Sequence, residues 1–426
     1  YVGSAIVLNS RKPKFMWRAS TVAGGGAITY DLQYSDVASF ASGVVTISNL
    51  ATNEYTPTMD LPANSSVPRG TRLYWRVRAC SASMCSAYPT RYLLNSGRSD
   101  HDFNGDGYAD LVVARANKTS VYMGPGLTAS VSITVTGTPR MAVGDFNGDG
   151  YMDLALGTPD DDTAGTNAGK TSIYLGGNTA SLDVTADYVF FGLAVGDQRG
   201  YAVVFDDFNG DGFDDLVVGS PYYDAADIGR IDAFYGAATP DVVVDRTYIG
   251  ATNWKIGFVF GSVDANGDGY ADLVIRDGMG DYITTFYEYR GAASGLAATY
   301  TGGATGNLIV DGGDVNGDGY GDPYFTLDWG ALGLPCLGSA SGIGACPVAW
   351  QATSNGIGAL GDVDRDGFDD LGAGMTGNQF LVYRGGDPLD STVDGTYIGT
   401  GGAGASICGG GDVNGDGCGS SGTAAS

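Results

Sequence analysis

One acidic stretch of nine residues constrains this chain more than any other feature, because it recurs seven times in nearly the same form. The copies read DFNGDGYAD, DFNGDGYMD, DFNGDGFDD, DANGDGYAD, DVNGDGYGD, DVDRDGFDD and DVNGDGCGS. They begin at Asp102, Asp145, Asp207, Asp264, Asp314, Asp362 and Asp412, so that the period is about 50 residues. Such a period is typical of an array of supersecondary units, such as propeller blades, in which each unit packs against its neighbours.

Strand-like runs flank the copies in a constant order. A Gly-rich run such as MAVGD precedes the loop, and a buried-type run such as DLVVGS follows it. Two further runs end in an aromatic residue or isoleucine and then glycine, as in DAFYG and RTYIG. Four short strands per repeat are the composition of a propeller blade. The sequence therefore predicts an all-β fold, with a seven-bladed β-propeller over residues 97–426 whose last blade is incomplete, preceded by a β-sandwich over residues 1–96.

The loop pattern D-x-N/D-x-D-G-x-x-D predicts a cation site. Positions 1, 3 and 5 place three side-chain oxygens on one side of a tight turn, and the carbonyl of position 7 and the carboxylate of position 9 can complete the shell. Hard oxygen ligands in this number suit calcium and not zinc or copper. Glycine at position 6 permits the sharp reversal. The loop is not an EF-hand, because position 12 of the first copy is Val113 and strands replace the flanking helices.

The third copy carries a family resemblance. The run DFNGDGFDDLVVGSP, preceded by FFGLAVGDQRGYAVVFDD and followed by ADIGRIDAFYG, resembles an FG-GAP repeat. Such repeats build the seven-bladed propeller of integrin α subunits and of many bacterial surface proteins. The resemblance extends over residues 97–426 and is strongest in the third repeat. It implies that each loop binds calcium between the first and second strands of a blade, and that ligands meet the opposite face.

The resemblance implies about seven calcium ions and the same five ligand positions in each loop, the fourth of them a backbone carbonyl. In the first four loops these positions are Asp102, Asn104, Asp106, Tyr108 and Asp110; Asp145, Asn147, Asp149, Tyr151 and Asp153; Asp207, Asn209, Asp211, Phe213 and Asp215; and Asp264, Asn266, Asp268, Tyr270 and Asp272. In the last three they are Asp314, Asn316, Asp318, Tyr320 and Asp322; Asp362, Asp364, Asp366, Phe368 and Asp370; and Asp412, Asn414, Asp416 and Cys418. Ser420 replaces the closing aspartate of the seventh loop, which is therefore expected to be the weakest site.

Residues 1–96 contain no acidic loop but about seven alternating strand-like runs, which favours a two-sheet sandwich. Trp17, Tyr74 and Trp75 are its predicted core residues. The run LYWRVRAC, which follows LPANSSVPRG, resembles the sixth strand of a fibronectin type III domain. The Cys-Trp-Cys arrangement of immunoglobulin domains is absent.

Charge and cysteine usage indicate where such a chain works. The formal net charge of -26 makes nucleic acid and anionic membrane surfaces poor partners. No apolar run approaches the roughly 18 residues of a membrane span, so no direct membrane insertion is expected. The cysteines fall in three close pairs, which predict three local disulfides and a secreted or cell-surface protein: Cys80 with Cys85, Cys336 with Cys346, and Cys408 with Cys418.

The seventh repeat is short. After Ser420 only six residues remain, so that this blade has its first strand, its loop and at most part of its second strand. Three explanations stay open: a longer parent chain, a ring that tolerates a partial blade, or strands supplied by another chain. The third would make the protein a self-assembling structural subunit of a filament or surface layer, because an open blade exposes a sheet edge.

The residues favour binding over catalysis, and no enzyme activity is expected. The one histidine, His101, adjoins the first loop, which is a poor place for a Ser-His-Asp site. Nearly all clusters of aspartates belong to the loops, and the remaining acidic stretch at 159–165 is expected to be a solvated loop. No catalytic residue and no organic cofactor are therefore predicted.

The resemblance implies an extracellular adhesion or recognition protein whose propeller face binds a protein or glycan ligand. The links 158–169 and 220–229 lie on the expected ligand face. The candidate contacts are Tyr222, Tyr223, Trp254, Trp329 and Trp350. Two alternatives remain, the self-assembling structural subunit and a lectin or accessory module of a secreted hydrolase.

Overall fold

The computed structural model describes residues 12–17, 19–22, 25–37, 39–82, 84–88, 92–96, 101–106, 108–124, 126–127, 129–178, 182–224, 228–251, 254–276, 285–296, 298–303, 309–327, 332–351, 357–364, 366, 368–375, 379–398, 406–409 and 421–424. Every regular element in these residues is a β-strand, which confirms the all-β prediction. Accordingly, no helix in the described residues is long and apolar enough to cross a membrane.

The first six strands form two antiparallel sheets. They are β1 (Phe15–Met16), β2 (Thr29–Ser35), β3 (Val45–Leu50), β4 (Glu54–Tyr55), β5 (Thr71–Cys80) and β6 (Tyr92–Ser96). One sheet has the order β3-β2-β5-β6, and the other pairs β1 with β4. Of the seven strand-like runs counted in the sequence, the first, AIVL at 5–8, lies outside the described residues. The predicted domain boundary at 96/97 adjoins residues 97–100, which are also outside, and stays a prediction.

The core of this β-sandwich lies between the two sheets. Phe15 of β1 meets Trp75 of β5 edge to face, with ring centroids 5.3 Å apart, and Leu32 and Leu73 are buried beside them. Of the three predicted core residues, Trp75 lies in this core and Trp17 packs at the edge of the same cluster. Tyr74 is buried but does not belong to this cluster, because neighbouring residues of a strand point to opposite faces.

Five four-stranded antiparallel sheets follow, and in each one every strand pairs with the next along the chain. The first three comprise β10 (Arg140–Gly144), β11 (Asp153–Thr158), β12 (Lys170–Tyr174) and β13 (Tyr188–Phe191); β14 (Val203–Asp206), β15 (Asp215–Ser220), β16 (Arg230–Phe234) and β17 (Arg246–Ile249); and β18 (Phe260–Val263), β19 (Asp272–Arg276), β20 (Thr285–Arg290) and β21 (Ala298–Gly303). The other two comprise β22 (Ile309–Asp311), β23 (Pro323–Leu327), β24 (Leu332–Pro335) and β25 (Trp350–Gln351); and β26 (Ile357–Gly361), β27 (Asp370–Met375), β28 (Gln379–Tyr383) and β29 (Gly395–Ile398).

Smaller sheets stand at the two ends of this series. A three-stranded sheet precedes it, formed by β7 (Leu111–Arg115), β8 (Lys118–Met123) and β9 (Ala129–Thr134). A hairpin of β30 (Ser406–Gly409) and β31 (Ser421–Ala424) follows it. These two strands flank the seventh acidic loop, whose residues 410–420 lie outside the described part of the chain. The number of blades and the closure of the ring therefore stay predictions.

The sheets are arranged as propeller blades. The first strands lie side by side in sequence order, from β10 through β14, β18, β22 and β26 to β30. The hydrophobic core lies between neighbouring sheets, as where Phe208 and Val217 of one blade meet Leu273 and Ile275 of the next. Because each blade buries both of its faces, its second strand is mostly buried, and β11 and β15 are buried at every residue. The predicted propeller class is confirmed.

Two of the three predicted disulfides are present. Cys80 is bonded to Cys85 at the end of β5, and Cys336 is bonded to Cys346 after β24. Both close short local loops, as the spacing indicated. The third predicted pair includes Cys418, which lies outside the described residues, and it stays a prediction.

Candidate metal centres and the opposite propeller face

Six of the seven acidic loops are described, apart from Gly107, Arg365 and Gly367. In five blades the loop joins the first strand to the second, so that the loops lie on one face of the propeller, called here the loop face. The closing aspartate at position 9 is buried in all six, whereas positions 3 and 5 are partly or fully exposed. Each loop is therefore a carboxylate-lined cup that is open on one side. The seventh loop, with Asp412, Asn414, Asp416 and Cys418, lies outside the described residues.

Local hydrogen bonds shape each cup, and the third loop illustrates them. The amide of Gly210 donates to Oδ1 of Asp207 at 2.6 Å, and the amide of Asp211 donates to Oδ1 of Asn209 at 2.9 Å. The amide of Phe213 donates to Oδ1 of Asp211 at 3.0 Å. The bonds from position 5 to position 3 and from position 7 to position 5 recur in the other five described loops. These turns gather the side chains of positions 1, 3 and 5 on the inside of the loop.

The closing aspartate ties the loop to the rest of its blade. In the third loop Oδ2 of Asp215 accepts the amide of Phe208 at 3.2 Å, and Oδ1 accepts the amide of Gly236 at 2.9 Å. The Oδ1 bond to the glycine after the third strand is present in all six described loops. In the fourth loop the buried Oδ2 of Asp272 has no hydrogen-bond partner among the described residues. A buried carboxylate oxygen of this kind is costly unless a cation compensates it.

The pKa values of these carboxyl groups lead to the same conclusion. Burial, with further contributions from the neighbouring loop aspartates, raises the pKa of Asp215 to about 9 and that of Asp272 and Asp322 to about 8. The pKa of Asp110 and that of Asp370 rise to about 7 for the same first reason. A bound cation would remove the electrostatic cost that disfavours the ionised form.

The donor set fits calcium. Each described cup offers oxygen only, from carboxylates, a backbone carbonyl and, in the first five loops, a side-chain amide, which is the ligand class that calcium prefers. In the sixth loop one carboxylate oxygen from each of Asp362, Asp364 and Asp370 lies within 4.8 Å of the others. Three predicted ligands of the sixth loop are thus neighbours. Each of the six described loops is a separate candidate site.

Hydrogen bonds also link each loop to the next one, which the sequence did not predict. The amide of position 8 donates to the carbonyl of position 1 in the preceding loop. The pairs are Met152 with Asp102, Asp214 with Asp145, Ala271 with Asp207, Gly321 with Asp264, and Asp369 with Asp314, at 2.9–3.3 Å. The first ligand of one loop is therefore the backbone acceptor for the following blade, so that the loops connect neighbouring blades.

The aromatic ring at position 7 reinforces this link. A methyl group at position 4 of four loops would overlap the position-7 ring of the next loop: Gly148 with Phe213, Gly210 with Tyr270, Gly267 with Tyr320, and Gly317 with Phe368. The sequence analysis assigned only the carbonyl of position 7. The available signal was that this position is Tyr or Phe in the first six loops.

The face opposite the loops carries a cluster of aromatic and cationic side chains near the start of the innermost strands. Tyr201 and Phe258 pack with ring centroids 4.2 Å apart, and Lys255 Nζ lies 4.5 Å from the ring centroid of Tyr222. The guanidinium groups of two arginines lie over the rings of Tyr201 and Phe258, at 5.3 and 5.7 Å. We call this cluster the aromatic–cationic patch, and its members are Arg140, Tyr201, Tyr222, Lys255, Phe258 and Arg276.

Several predicted ligand contacts have other positions. Trp350 is 1% exposed, stacks on Tyr383 at 4.7 Å and donates to the carbonyl of Asp390, so it is a core residue and not a ligand contact. Trp254 is half-buried and stacks on Tyr287. Trp329 lies outside the described residues. Tyr222 is the predicted contact that belongs to the patch, whereas Tyr223 lies beneath the guanidinium group of Arg230.

The acidic stretch at 159–165 is only partly solvated, which corrects the prediction for it. Asp161 is buried and pairs with Lys170 at 2.8 Å, whereas Asp160 and Asp162 are exposed. Beside this link, Leu193 and Val195 expose 60% and 71% of their surface. The link at 158–169 therefore lies beside two exposed apolar side chains on the same face as the patch.

Comparison with known protein families finds two matches. Residues 102–156 match the FG-GAP-like repeat, and residues 199–234 match the FG-GAP repeat. The chain therefore contains FG-GAP repeats, and the matched segments include its first three acidic loops. They confirm this part of the resemblance and agree with the propeller arrangement of the sheets.

Among solved structures, the chain is similar to a crystal structure of BBS1N in complex with ARL6DN, soaked with mercury. The identity is 14%, over 71% of this chain and 82% of that chain, with a TM-score of 0.45. This likeness is too low to bear on the function.

Proposed function

We propose that this protein is a non-catalytic, calcium-binding recognition protein that works outside the cytoplasm. Its loop face binds about seven calcium ions, with the seventh site the weakest, and its opposite face binds a protein or glycan ligand at a cell surface. The single observation that carries the recognition role is the aromatic–cationic patch. FG-GAP repeats are consistent with it, because they suggest a recognition or adhesion module.

Calcium is supported by the recurrence of one oxygen-lined cup in six described loops. The closing aspartates are buried and have raised pKa values, and the buried Oδ2 of Asp272 has no hydrogen-bond partner among the described residues. A bound cation would stabilise the ionised form of these carboxyl groups. Because the loops also link neighbouring blades, the ions have a structural role. The two observed disulfides favour an oxidising compartment. The N-terminal β-sandwich is a fibronectin type III-like domain in this proposal.

The chemistry of the patch suggests which ligands it binds. Two accessible cations, Arg140 and Lys255, lie over half-buried aromatic rings in a chain with a net charge of -26, whereas Arg276 is buried beneath them. Aromatic faces stack on sugar rings or apolar side chains, and Arg and Lys pair with carboxylates. The preferred ligand therefore presents acidic groups beside a flat apolar surface, as acidic glycans and acidic peptides do.

The proposed calcium binding is tested by calorimetric titration of chelator-treated protein with calcium. We expect several binding events per chain and a higher melting temperature. A chain that takes up no calcium and melts at the same temperature with and without it would contradict the proposal.

The recognition half is tested by biolayer interferometry with three probes: an immobilised uronic-acid polysaccharide, a neutral polysaccharide and a poly-glutamate peptide. We expect binding to at least one acidic probe and its loss in the variant Arg140→Ala/Lys255→Ala. Lys14→Ala is the matched control, because Lys14 is an exposed cation of the N-terminal β-sandwich, outside the aromatic–cationic patch, and its ion pair with Glu54 is exposed too. No binding to either acidic probe, or binding that the double variant retains, would contradict the assignment.

A further inference from the structure

The N-terminal β-sandwich touches the loop face at three successive acidic loops. The amide of Arg69 donates to the carbonyl of Gly148 in the second loop at 2.7 Å. Pro68 packs against Gly148 and against Gly212 of the third loop, where a methyl group would lie 3.1 Å from the proline ring. The segment 62–70 that makes these contacts is called here the docking segment.

Hydrogen bonds within the docking segment stabilise its conformation independently of its contacts with the propeller. The side-chain amide of Asn64 donates to the carbonyl of Pro68 at 3.0 Å, and the amide of Gly70 donates to the carbonyl of Asn64 at 2.8 Å. A preorganised segment loses less conformational entropy on docking. The contact is therefore built from ordered backbone on both sides.

Arg72, at the start of β5, adds an ionic contact between the third and fourth loops. Its Nη2 lies 3.2 Å from Oδ2 of Asp207, the first residue of the third loop. Its Nη1 donates to the carbonyl of Gly269 in the fourth loop, against which Tyr74 also packs. This explains why Tyr74 is buried on the face of β5 that points away from the sandwich core.

The ion pair with Arg72 uses one carboxylate oxygen of Asp207, Oδ2, and leaves the other oxygen, Oδ1, on the inside of the loop. Oδ1 of Asp207 accepts the amides of Gly210 and Asp211 on the inside of the loop, while Oδ2 meets Arg72 and the amide of Gly212. Because an arginine guanidinium group is always charged in proteins, this ion pair fixes the orientation of the carboxylate of Asp207.

We propose that docking of the β-sandwich and cation binding in the second to fourth loops stabilise each other, with Arg72 as the positioning residue for the third site. This inference rests on the calcium binding proposed above. The surfaces that the β-sandwich touches are loop backbones, whose shape depends on the side-chain oxygens that gather around the ion. By thermodynamic linkage, if bound calcium strengthens the docking of the β-sandwich, docking strengthens calcium binding by the same free energy.

The test is hydrogen–deuterium exchange of the full chain across a calcium titration, for the wild type, Arg72→Ala and Arg76→Ala. Arg76 is the matched control, because it lies on the same strand and bonds to Gln33 within the β-sandwich. In Arg72→Ala we expect faster exchange in the docking segment. The calcium concentration that half-protects residues 207–215 should rise about fivefold. Residues 362–370, which the β-sandwich does not touch in the described contacts, serve as the internal reference and should not change.

Two outcomes would overturn the proposal. One is an unchanged midpoint at 207–215 in Arg72→Ala. The other is a docking segment in the wild type whose protection does not depend on calcium, although the loops respond to it. If no loop of the wild type responds to calcium, the calcium proposal itself fails. Circular dichroism of each variant in calcium checks the fold. Arg72→Lys keeps the charge but loses the two-nitrogen fork that contacts both Asp207 and Gly269, so it should give an intermediate midpoint.

Discussion

The two faces of the propeller are built in different ways. The loop face repeats one nine-residue arrangement in six described blades, with the same turn bonds and the same link to the next blade. The opposite face also repeats a backbone contact, in which Gly169 bridges to Arg199 and Gly229 bridges to Ile256, but among the described residues its aromatic–cationic patch draws on only three neighbouring blades. A repeated contact suits a structural task that every blade shares, whereas a single irregular cluster suits the selection of one ligand. The faces should therefore respond differently to chelation and to mutation.

Removal of calcium should have the largest effect, and it should act through the loop face. If ambient calcium is a hundredfold above the dissociation constant, each site adds about 2.7 kcal/mol to the free energy of unfolding. Because several sites act together, we expect EDTA to lower the melting temperature by more than about 10 °C. Differential scanning calorimetry measures this, with magnesium as the control ion. An unchanged melting curve would show that the loops do not depend on a cation.

Asp215→Asn should cost about 2–4 kcal/mol of unfolding free energy in calcium. The substitution removes a ligand charge, and the NH2 group of asparagine cannot accept one of the two bonds now donated by the amides of Phe208 and Gly236. In EDTA at pH 7 the difference should nearly vanish, because with a pKa of about 9 the wild-type carboxyl is already neutral there. Urea unfolding in both conditions measures the effect.

Asp241→Asn is the matched control for that substitution, since Asp241 is exposed and lies outside the loops. It should stay within about 0.5 kcal/mol of the wild type in both conditions. An equal loss of unfolding free energy in the two variants would show that the closing aspartate contributes no more to stability than an exposed aspartate does.

The variant Gly210→Ala tests whether the contact between neighbouring blades adds to the cost of placing alanine at a positive φ. The residue has a φ of 73°, and a methyl group would overlap the ring of Tyr270 in the next loop. Gly361→Ala is the matched control, since Gly361 has a φ of 69° with open space around it. We expect a loss of about 1 kcal/mol for the control and about 1–3 kcal/mol more for Gly210→Ala. Equal losses by urea unfolding would mean that the ring contributes nothing.

The dependence of stability on pH should have opposite signs with and without calcium. The folded-state pKa of Asp272 is about 8 and that of Asp215 is about 9, both above the usual 3.8. A raised carboxyl pKa stabilises the fold at low pH, and this stability is lost as pH rises through the folded value. In EDTA the melting temperature should therefore increase as pH falls from 9 towards 5. In calcium it should decrease over the same range, because protons compete with the cation.

Substitution in the patch should have the smallest effect on stability. Arg140→Ala/Lys255→Ala removes side chains that are exposed or half-buried, so we expect a change within about 0.5 kcal/mol per site. Ligand binding should nevertheless be lost. Thermal unfolding and interferometry on the same samples make the comparison. A large loss of stability would mean that the patch is structural.

The sequence by itself determined the features that depend on residues close together in the chain. The cups form from positions within nine residues, so their donors could be read from the pattern, and the disulfides Cys80–Cys85 and Cys336–Cys346 close equally local loops. The strand order within each blade followed from short connections, because neighbouring strands pair in sequence.

Only the tertiary structure decided the contacts between distant residues. The ring of Tyr270 on Gly210, the patch on the opposite face and the pair of Arg72 with Asp207 join residues from different blades or domains. Trp350 was expected at a ligand surface, but the packing of its blade places it in the core. The pattern of one segment specifies which of its faces is apolar. What that face meets depends on the angle and spacing at which the sheets pack, and no local spacing in the sequence encodes these.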